Sequence, residues 1–148
     1  DETMVEVLKT VKLWDIFSKA KGLDTVLESQ GKNLSGGQAQ RVALARALLY
    51  DASIYIFDEA TSNIDIESEE IILNIIHSLA KEKTVIYISH RLPAIKNADC
   101  IYVMDKGRVI ESGKHNDLYA KKELYYNMYK HQEELESYLT KRGETNEK

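Results

Sequence analysis

Apolar residues recur at helical spacing in three parts of the chain, and a further part, from about Gln38 to Tyr50, is rich in alanine and leucine. Between residues 3 and 20 an apolar side chain stands at about every third position, which predicts one amphipathic helix. A second predicted helix runs from about Gln38 to Tyr50, a third from about Ile66 to Lys81, and a fourth from Asn116 to about Thr140. Residues 22–33 lack such a pattern and predict a loop.

Two short apolar runs predict strands that are buried on both faces, namely Ile54–Phe57 and Val85–Ile88. Because a predicted helix separates them, we expect a right-handed crossover and a parallel pair. Further along, Ile101–Met104 and Arg108–Glu111 flank Asp105-Lys106-Gly107, a pattern typical of a hairpin. The order of these elements predicts the α/β fold class.

Composition narrows the possible functions. The chain has 148 residues, 43% of them hydrophobic, which is enough for a compact core. The net charge of −4 comes from charges of both signs that are mixed along the chain. The sequence therefore lacks the clustered basic residues that would predict nucleic-acid binding. No apolar stretch approaches the roughly 18 residues of a membrane helix, so we expect any membrane link to come from other residues or partners. The single cysteine, Cys100, lies in an apolar run and is predicted to be buried.

The second predicted helix follows a glycine-containing turn, Leu34-Ser35-Gly36-Gly37-Gln38. Ser35 is a good N-cap, and Gly36 and Gly37 remove side chains where a backbone must approach something closely. The free N–H groups and positive dipole of such a helix start suit a phosphate. An ordinary capped helix is the alternative for Ser-Gly-Gly alone, but the full string with the sequence after it favours the anion site.

Two adjacent carboxylates, Asp58 and Glu59, end the first predicted strand. Ligands in open α/β sheets bind at the carboxyl ends of strands. Two neighbouring carboxylates repel each other, so a cation or divided roles should explain the pair. We expect Asp58 to hold Mg²⁺ through water and Glu59 to activate a water for attack on phosphate. Capping of the next turn is the alternative.

Polar residues that follow the two strands complete the candidate site. Ser62-Asn63-Ile64-Asp65 is a polar turn in which Asp65 can cap the next helix. His90 follows the second strand, and in a parallel pair it is expected at the same sheet edge as the carboxylates. A structural hydrogen-bonding role is the alternative for His90. Three other histidines are read as solvated or capping residues: His77, His115 and His131.

Together these strings resemble the nucleotide-binding domain of ABC transporters, over roughly residues 5–135. Leu34–Gln38 resembles the signature motif and Ile54–Glu59 the Walker B strand with its catalytic glutamate. Ser62–Asp65 resembles the D-loop, and His90 the switch histidine. The resemblance implies a partial P-loop NTPase (RecA-like) parallel sheet with part of the ABC helical subdomain. It divides the chain into a helical-subdomain remnant at 1–50, ATPase core at 51–120, and a C-terminal helix and tail at 121–148.

The resemblance also implies partners and cofactors. In the family, two cassettes sandwich two ATP molecules head to tail. Ser35, Gly36, Gly37 and Gln38 would contact the ATP of the partner cassette, and Asp65 would couple the two sites. Asp58 with Mg²⁺, together with Glu59 and His90, would serve the cassette's own ATP. The implied protein works with a transmembrane domain at the cytoplasmic face of a membrane and exports a substrate.

The resemblance has departures. Ala39 stands where the family commonly has arginine, and the turn at Asn63 and Ile64 differs from the usual D-loop. The 148 residues contain no G-x-x-x-x-G-K-[ST] P-loop, so we expect the C-terminal part of a cassette, inactive alone. A non-transport ABC ATPase of DNA repair or translation is the alternative function.

Overall fold

The computed structural model describes residues 1–145 and divides the chain into two compact units. The first comprises Asp1–Ile88 and the second begins at Ser89. The three-part division predicted from the sequence stays a prediction, and its last residues, 146–148, lie outside the described part. Each unit is described by itself below.

The first unit opens with two helices, α1 (Glu2–Thr10) and α2 (Trp14–Ser18), where one continuous helix was predicted. That prediction is wrong because the chain turns at Lys12, whose φ is +56°. Val11 and Leu13, on either side of the turn, are both 0% exposed. Residues two apart on a continuous helix point about 200° away from each other, so the turn allows both side chains to enter one core.

The remaining helices of this unit agree with the prediction. Residues 22–33 form the expected loop, with two short 3-10 turns. Helix α3 (Gly36–Leu49) begins two residues before its predicted start, and α4 is Ile66–Leu79. Both helices bury one face in a common core, in which Leu44 of α3 and Ile72 of α4 lie. The Ala- and Leu-rich composition of α3 and the apolar stripe of α4 therefore predicted these elements correctly.

Strands β1 (Ile54–Asp58) and β2 (Thr84–Ile88) pair in parallel, as predicted, with Asp58 opposite Ile88. The expectation that both faces are buried is wrong. Tyr55 and Phe57 are 6% and 8% exposed, but Ile54 and Ile56, on the other face, are 58% and 66% exposed. The core that contains Leu44 and Ile72 packs against the Tyr55 face, so period-two alternation leaves the isoleucines on the open face.

The second unit contains the predicted hairpin, formed by the antiparallel strands β3 (Ile101–Asp105) and β4 (Arg108–Gly113). A four-residue helix, α5 (Leu92–Ile95), precedes it. The predicted single C-terminal helix is instead two helices, α6 (His115–Lys121) and α7 (Leu124–Thr145). The chain breaks between them at Lys122, whose φ of +57° is left-handed. A residue in that conformation cannot continue a right-handed helix.

Burial in the second unit corrects one prediction and explains a polar core residue. Cys100 is exposed, because the strand that follows buries the alternate positions Ile101 and Val103. Glu111 is only 7% exposed, and its Oε1 accepts a 3.0 Å hydrogen bond from the N–H of Tyr125. Glu111 therefore satisfies one of the otherwise unpaired donors at the start of α7.

Candidate functional site

The start of α3 is closed by a capping box. Ser35 Oγ accepts the N–H of Gln38 at 3.2 Å, and Gln38 Oε1 accepts the N–H of Ser35 at 3.1 Å. The predicted N-cap is therefore confirmed. Both bonds use a side-chain oxygen as the acceptor. The Ser35 hydroxyl and the Gln38 side-chain amide remain able to donate hydrogen bonds to an anion, beside the N–H groups of the first turn.

The two glycines of this turn serve different purposes. A Cβ atom on Gly37 would lie 2.7 Å from Asp65 Oδ2 and would also collide with the side chain of Ser68. Gly37 is therefore required for contact between α3 and α4. A Cβ atom on Gly36 would meet only ordinary contacts, the nearest at 3.7 Å from the Asn63 carbonyl oxygen. Packing within the first unit therefore does not require a glycine at position 36.

An open cavity of about 480 Å³ lies beside Gly36. Its lining combines the first turns of α3 with the turn after β1: Gly36, Ala39, Gln40, Ser62, Asn63 and Ile64. The structure thus brings together two polar strings that are about 25 residues apart in sequence. Ala39, where the resembled family commonly has arginine, leaves this part of the wall without a long charged side chain.

Asp58 and Glu59 stand at the carboxyl end of β1, as predicted. Asp58 is exposed and, by strand alternation, shares the open sheet face with Ile56. Glu59 has a φ of +49°, a conformation that costs a non-glycine residue on the order of 1–3 kcal/mol. Its N–H donates to the Ile88 carbonyl at 3.0 Å, and its carbonyl accepts the Ser62 N–H at 3.0 Å. These bonds hold the strained residue at the strand end.

Thr61 is a residue of this turn that sequence reasoning missed. Its side chain is buried, and its Oγ1 lies 2.9 Å from the hydroxyl of Tyr87 on β2. The bond ties the turn after the acidic pair to the neighbouring strand. A threonine in a polar turn gives no sequence signal for a partner 26 residues away.

Asp65 is the N-cap of α4, which confirms the capping interpretation. Its Oδ1 accepts the N–H of Ser68 at 2.8 Å. Hydrogen bonds from the backbone and side chain of Ser68 hold the pKa of Asp65 below its usual value. The charged form is favoured because it accepts these bonds better than the protonated acid. The role of Asp65 toward a nucleotide stays a prediction.

His90 belongs to the second unit, two residues after β2 ends. Its position beside Asp58 and Glu59 therefore stays a prediction. In the loop around it, Ser89 Oγ accepts the N–H of Arg91 at 2.9 Å.

His115 corrects the expectation of a solvated or capping residue. It is half-buried among tyrosines, and its Nδ1 lies 2.8 Å from the hydroxyl of Tyr125. Burial lowers the pKa of His115 and raises the pKa of Tyr125 to about 12. The cluster is a packing feature of α6 and α7.

Within residues 1–145 no group of three or more His, Cys, Asp or Glu side chains could hold a metal ion by itself. A single exposed carboxylate such as Asp58 does suit Mg²⁺, which commonly takes one or two carboxylates together with water and substrate phosphate oxygens. In the same part of the chain, no helix has the length and apolar character needed to cross a bilayer.

Known proteins resemble this chain closely. The family model described as ABC transporter matches residues 1–62. An ABC transporter ATP-binding protein of Haemophilus influenzae is 53% identical over 136 residues, covering 92% of this chain and 24% of the relative. The alpha-hemolysin translocation ATP-binding protein HlyB of Escherichia coli is 47% identical, covering 84% of this chain and 18% of the relative.

A solved structure also shows the similarity to ABC transporters. A bacterial Atm1-family ABC exporter with ATP bound superposes with a TM-score of 0.83 and 38% sequence identity, covering 89% of this chain and 24% of that one. The fold is thus that of part of an ABC transporter ATP-binding domain. The chain belongs to the ABC transporter ATP-binding family. It spans about a quarter or less of the length of these relatives.

Proposed function

We propose that this chain is the C-terminal part of the ATP-hydrolysing domain of an ABC exporter. The observation that carries the proposal is the start of α3, where Gly36 faces an open cavity beside a capping box whose Ser35 hydroxyl and Gln38 amide remain able to donate. A helix start with unused donors and no obstructing side chain binds phosphate well.

The phosphate that approaches α3 would belong to ATP held by a second cassette. Ser35 and Gln38 would donate from their side chains, and Gly36 and Gly37 from the backbone. In this arrangement two cassettes associate head to tail, and each supplies its signature motif to the nucleotide of the other. Asp65 would couple the two sites, because it caps α4 directly against Gly37.

The carboxyl end of β1 would serve the nucleotide of the chain's own cassette. Glu59 would accept a proton from the attacking water, and the strained backbone holds this side chain at the strand end. His90 would hydrogen-bond the γ-phosphate. Asp58 would hold Mg²⁺, which neutralises charge on the phosphate oxygens when bound.

The proposed function also implies that the β1–β2 pair belongs to a larger sheet. The β1–β2 pair would be part of a RecA-like P-loop NTPase sheet, and residues 1–50 part of the helical subdomain. The protein would act with a transmembrane domain at the cytoplasmic face of a membrane, which the similarity to exporters supports. The 148 residues contain no P-loop motif, so we expect no ATPase activity from them alone.

Replacement of Glu59 by Gln tests the proposal in a longer polypeptide that includes a P-loop. We expect E59Q to bind ATP normally and to lose about 10²–10⁴-fold in turnover, the usual contribution of a general base. The matched control is Glu70→Gln, an exposed glutamate on α4, which should keep full turnover. Equal turnover in E59Q and E70Q contradicts the assignment of Glu59.

A further inference from the structure

A buried arginine lies one turn after the signature string. Arg41 is only 9% exposed, and its guanidinium donates to three main-chain carbonyls. Nε reaches the carbonyl of Gly37 at 3.3 Å, and Nη1 reaches those of Val11 and Lys12 at 3.4 Å and 3.1 Å. A buried guanidinium without acceptors would be strongly destabilising, so these contacts are a condition of its burial.

The Val11 and Lys12 carbonyls are available because α1 ends there. The left-handed turn at Lys12 stops the helix, and the last carbonyls of a helix have no partner within it. The Val11 carbonyl, at the C-cap, also lies at the negative end of the helix dipole, which favours a nearby cation. Arg41 therefore connects the end of α1 to the second residue of α3.

Gly37 is held from a second direction as well. Its Cα lies so close to Asp65 and Ser68 that no side chain fits between them. Contact with α4 on one side and the Arg41 bond on the other leave little freedom for the first turn of α3. The directions of the Gly36 and Gly37 N–H groups follow from these two restraints.

We propose that Arg41 is a positioning residue, which orients the first turn of α3 toward a phosphate without touching it. The proposal rests on the proposed function for its catalytic consequence. The planar fork of arginine reaches carbonyls on two elements at once, whereas a lysine ammonium is a single point donor. Arg41→Lys is therefore expected to keep the charge and lose part of the orientation.

The first arm of the test uses the 148-residue chain and needs no ATP. Amide hydrogen exchange is measured for the wild type, Arg41→Met, Arg41→Lys and the control Arg46→Met, an exposed arginine on the same helix. We expect R41M to exchange at least about tenfold faster at Ala39 and Gln40, with α4 unchanged, and R41K to be intermediate. Equal exchange in R41M and R46M overturns the proposal.

The second arm measures ATP turnover in a polypeptide that includes a P-loop. We expect R41M to lose about tenfold or more in kcat per folded molecule, with the KM for ATP within about twofold, because ATP binds first to the P-loop of its own cassette. R46M should match the wild type. A kcat loss in R41M that disappears after correction for the folded fraction also overturns the proposal. If R41M does not fold, the same comparison is made with R41K.

The two arms separate the possible failures. A wild type that does not hydrolyse ATP contradicts the proposed function, while the exchange arm still decides whether Arg41 orders the turn. Wild-type turnover together with an unaffected Arg41 variant contradicts only the role of Arg41.

Discussion

Ser35 and Gln38 hydrogen-bond to each other reciprocally across the first turn of α3, each side chain accepting the backbone N–H of the other residue. The same two side chains are the ones that we propose to donate to phosphate. The capping box and the phosphate site do not compete, because the box uses the oxygens as acceptors and leaves the hydrogens. A phosphate can therefore bind these side chains without breaking the capping box.

Ser35→Ala is expected to destabilise the 148-residue chain by about 0.5–2 kcal/mol, since it removes the side-chain acceptor for the Gln38 N–H. Urea unfolding followed by circular dichroism measures the change. Ser78→Ala is the control, because Ser78 is exposed near the end of α4, and its effect should lie within about 0.5 kcal/mol. An S35A chain as stable as S78A would show that the capping box contributes nothing.

The adjacent glycines are expected to respond differently to the same substitution. Gly37→Ala forces a methyl group against Ser68 and Asp65 and should cost about 1–3 kcal/mol, as overpacking does. Gly36→Ala meets no atom closer than 3.7 Å and should leave stability within about 0.5 kcal/mol. Urea unfolding of the two variants tests this difference.

A second substitution identifies the cause of the Gly37 effect. Ser68→Gly removes the two nearest atoms that a methyl group on Gly37 would strike and leaves only Asp65 Oδ2, so G37A should be less harmful in the S68G background. A double-mutant cycle measures this coupling. Strictly additive effects would contradict the steric explanation.

The free energy of unfolding is expected to depend on pH through the carboxylate of Asp65. Its pKa is depressed in the folded chain by hydrogen bonds from Ser68. The carboxylate therefore contributes stability that is present above its ordinary pKa of 3.8 and is lost as pH falls through the lower folded value. Asp65→Asn keeps a capping side chain but removes this titration, so its loss of stability below about pH 4 should be shallower.

Urea midpoints between about pH 2 and pH 6 measure that effect. Asp15→Asn is the control, since Asp15 is an exposed carboxylate in the first turn of α2. It tests whether removal of any carboxylate near a helix start gives the same result. If the urea midpoint of D65N falls with decreasing pH as steeply as that of the wild type, the role of Asp65 is contradicted.

The sequence predicted those features that depend on local periodicity or on a single polar turn. The helices α3 and α4, the parallel strands and the Ser35 cap were all predicted because their signals lie within a few residues. The breaks at Lys12 and Lys122 were not, because lysine in a left-handed conformation has no signal comparable to glycine. These turns serve the packing of residues on both sides of them.

Features that join distant parts of the chain were also missed. The acceptors of Arg41 at Val11 and Lys12 lie about 30 residues away, and nothing in an alanine-rich helix indicates them. For the same reason the sequence predicted the same role for Gly36 and Gly37, although only Gly37 contacts α4. The pairing of residues distant in sequence depends on the packed core.

His115 predicts a second pH dependence, near neutrality. Burial lowers its pKa, with a further contribution from the positive charge of Lys96, while Glu133 opposes the shift. Tyr125, whose hydroxyl lies beside the ring, stays protonated, since burial raises its pKa to about 12. The folded chain therefore binds a proton at His115 less readily than the unfolded chain does.

The direction of the effect follows from proton linkage. Above the ordinary histidine pKa of 6.5 both states are neutral at this residue and pH has no influence. As pH falls below that value, the unfolded chain takes up the proton first, so stability decreases until the lowered folded pKa is passed. Urea midpoints of His115→Gln between about pH 7.5 and pH 5 should therefore change less with pH than those of the wild type.

The control for this measurement is His77→Gln, because His77 is exposed in the last turn of α4. H77Q should follow the wild-type pH profile, whereas H115Q should flatten it even though it also loses the 2.8 Å contact with Tyr125. The contact changes stability at every pH, but only titration changes the slope. Parallel profiles for H115Q and the wild type would show that the tyrosine cluster does not disfavour the charged imidazole.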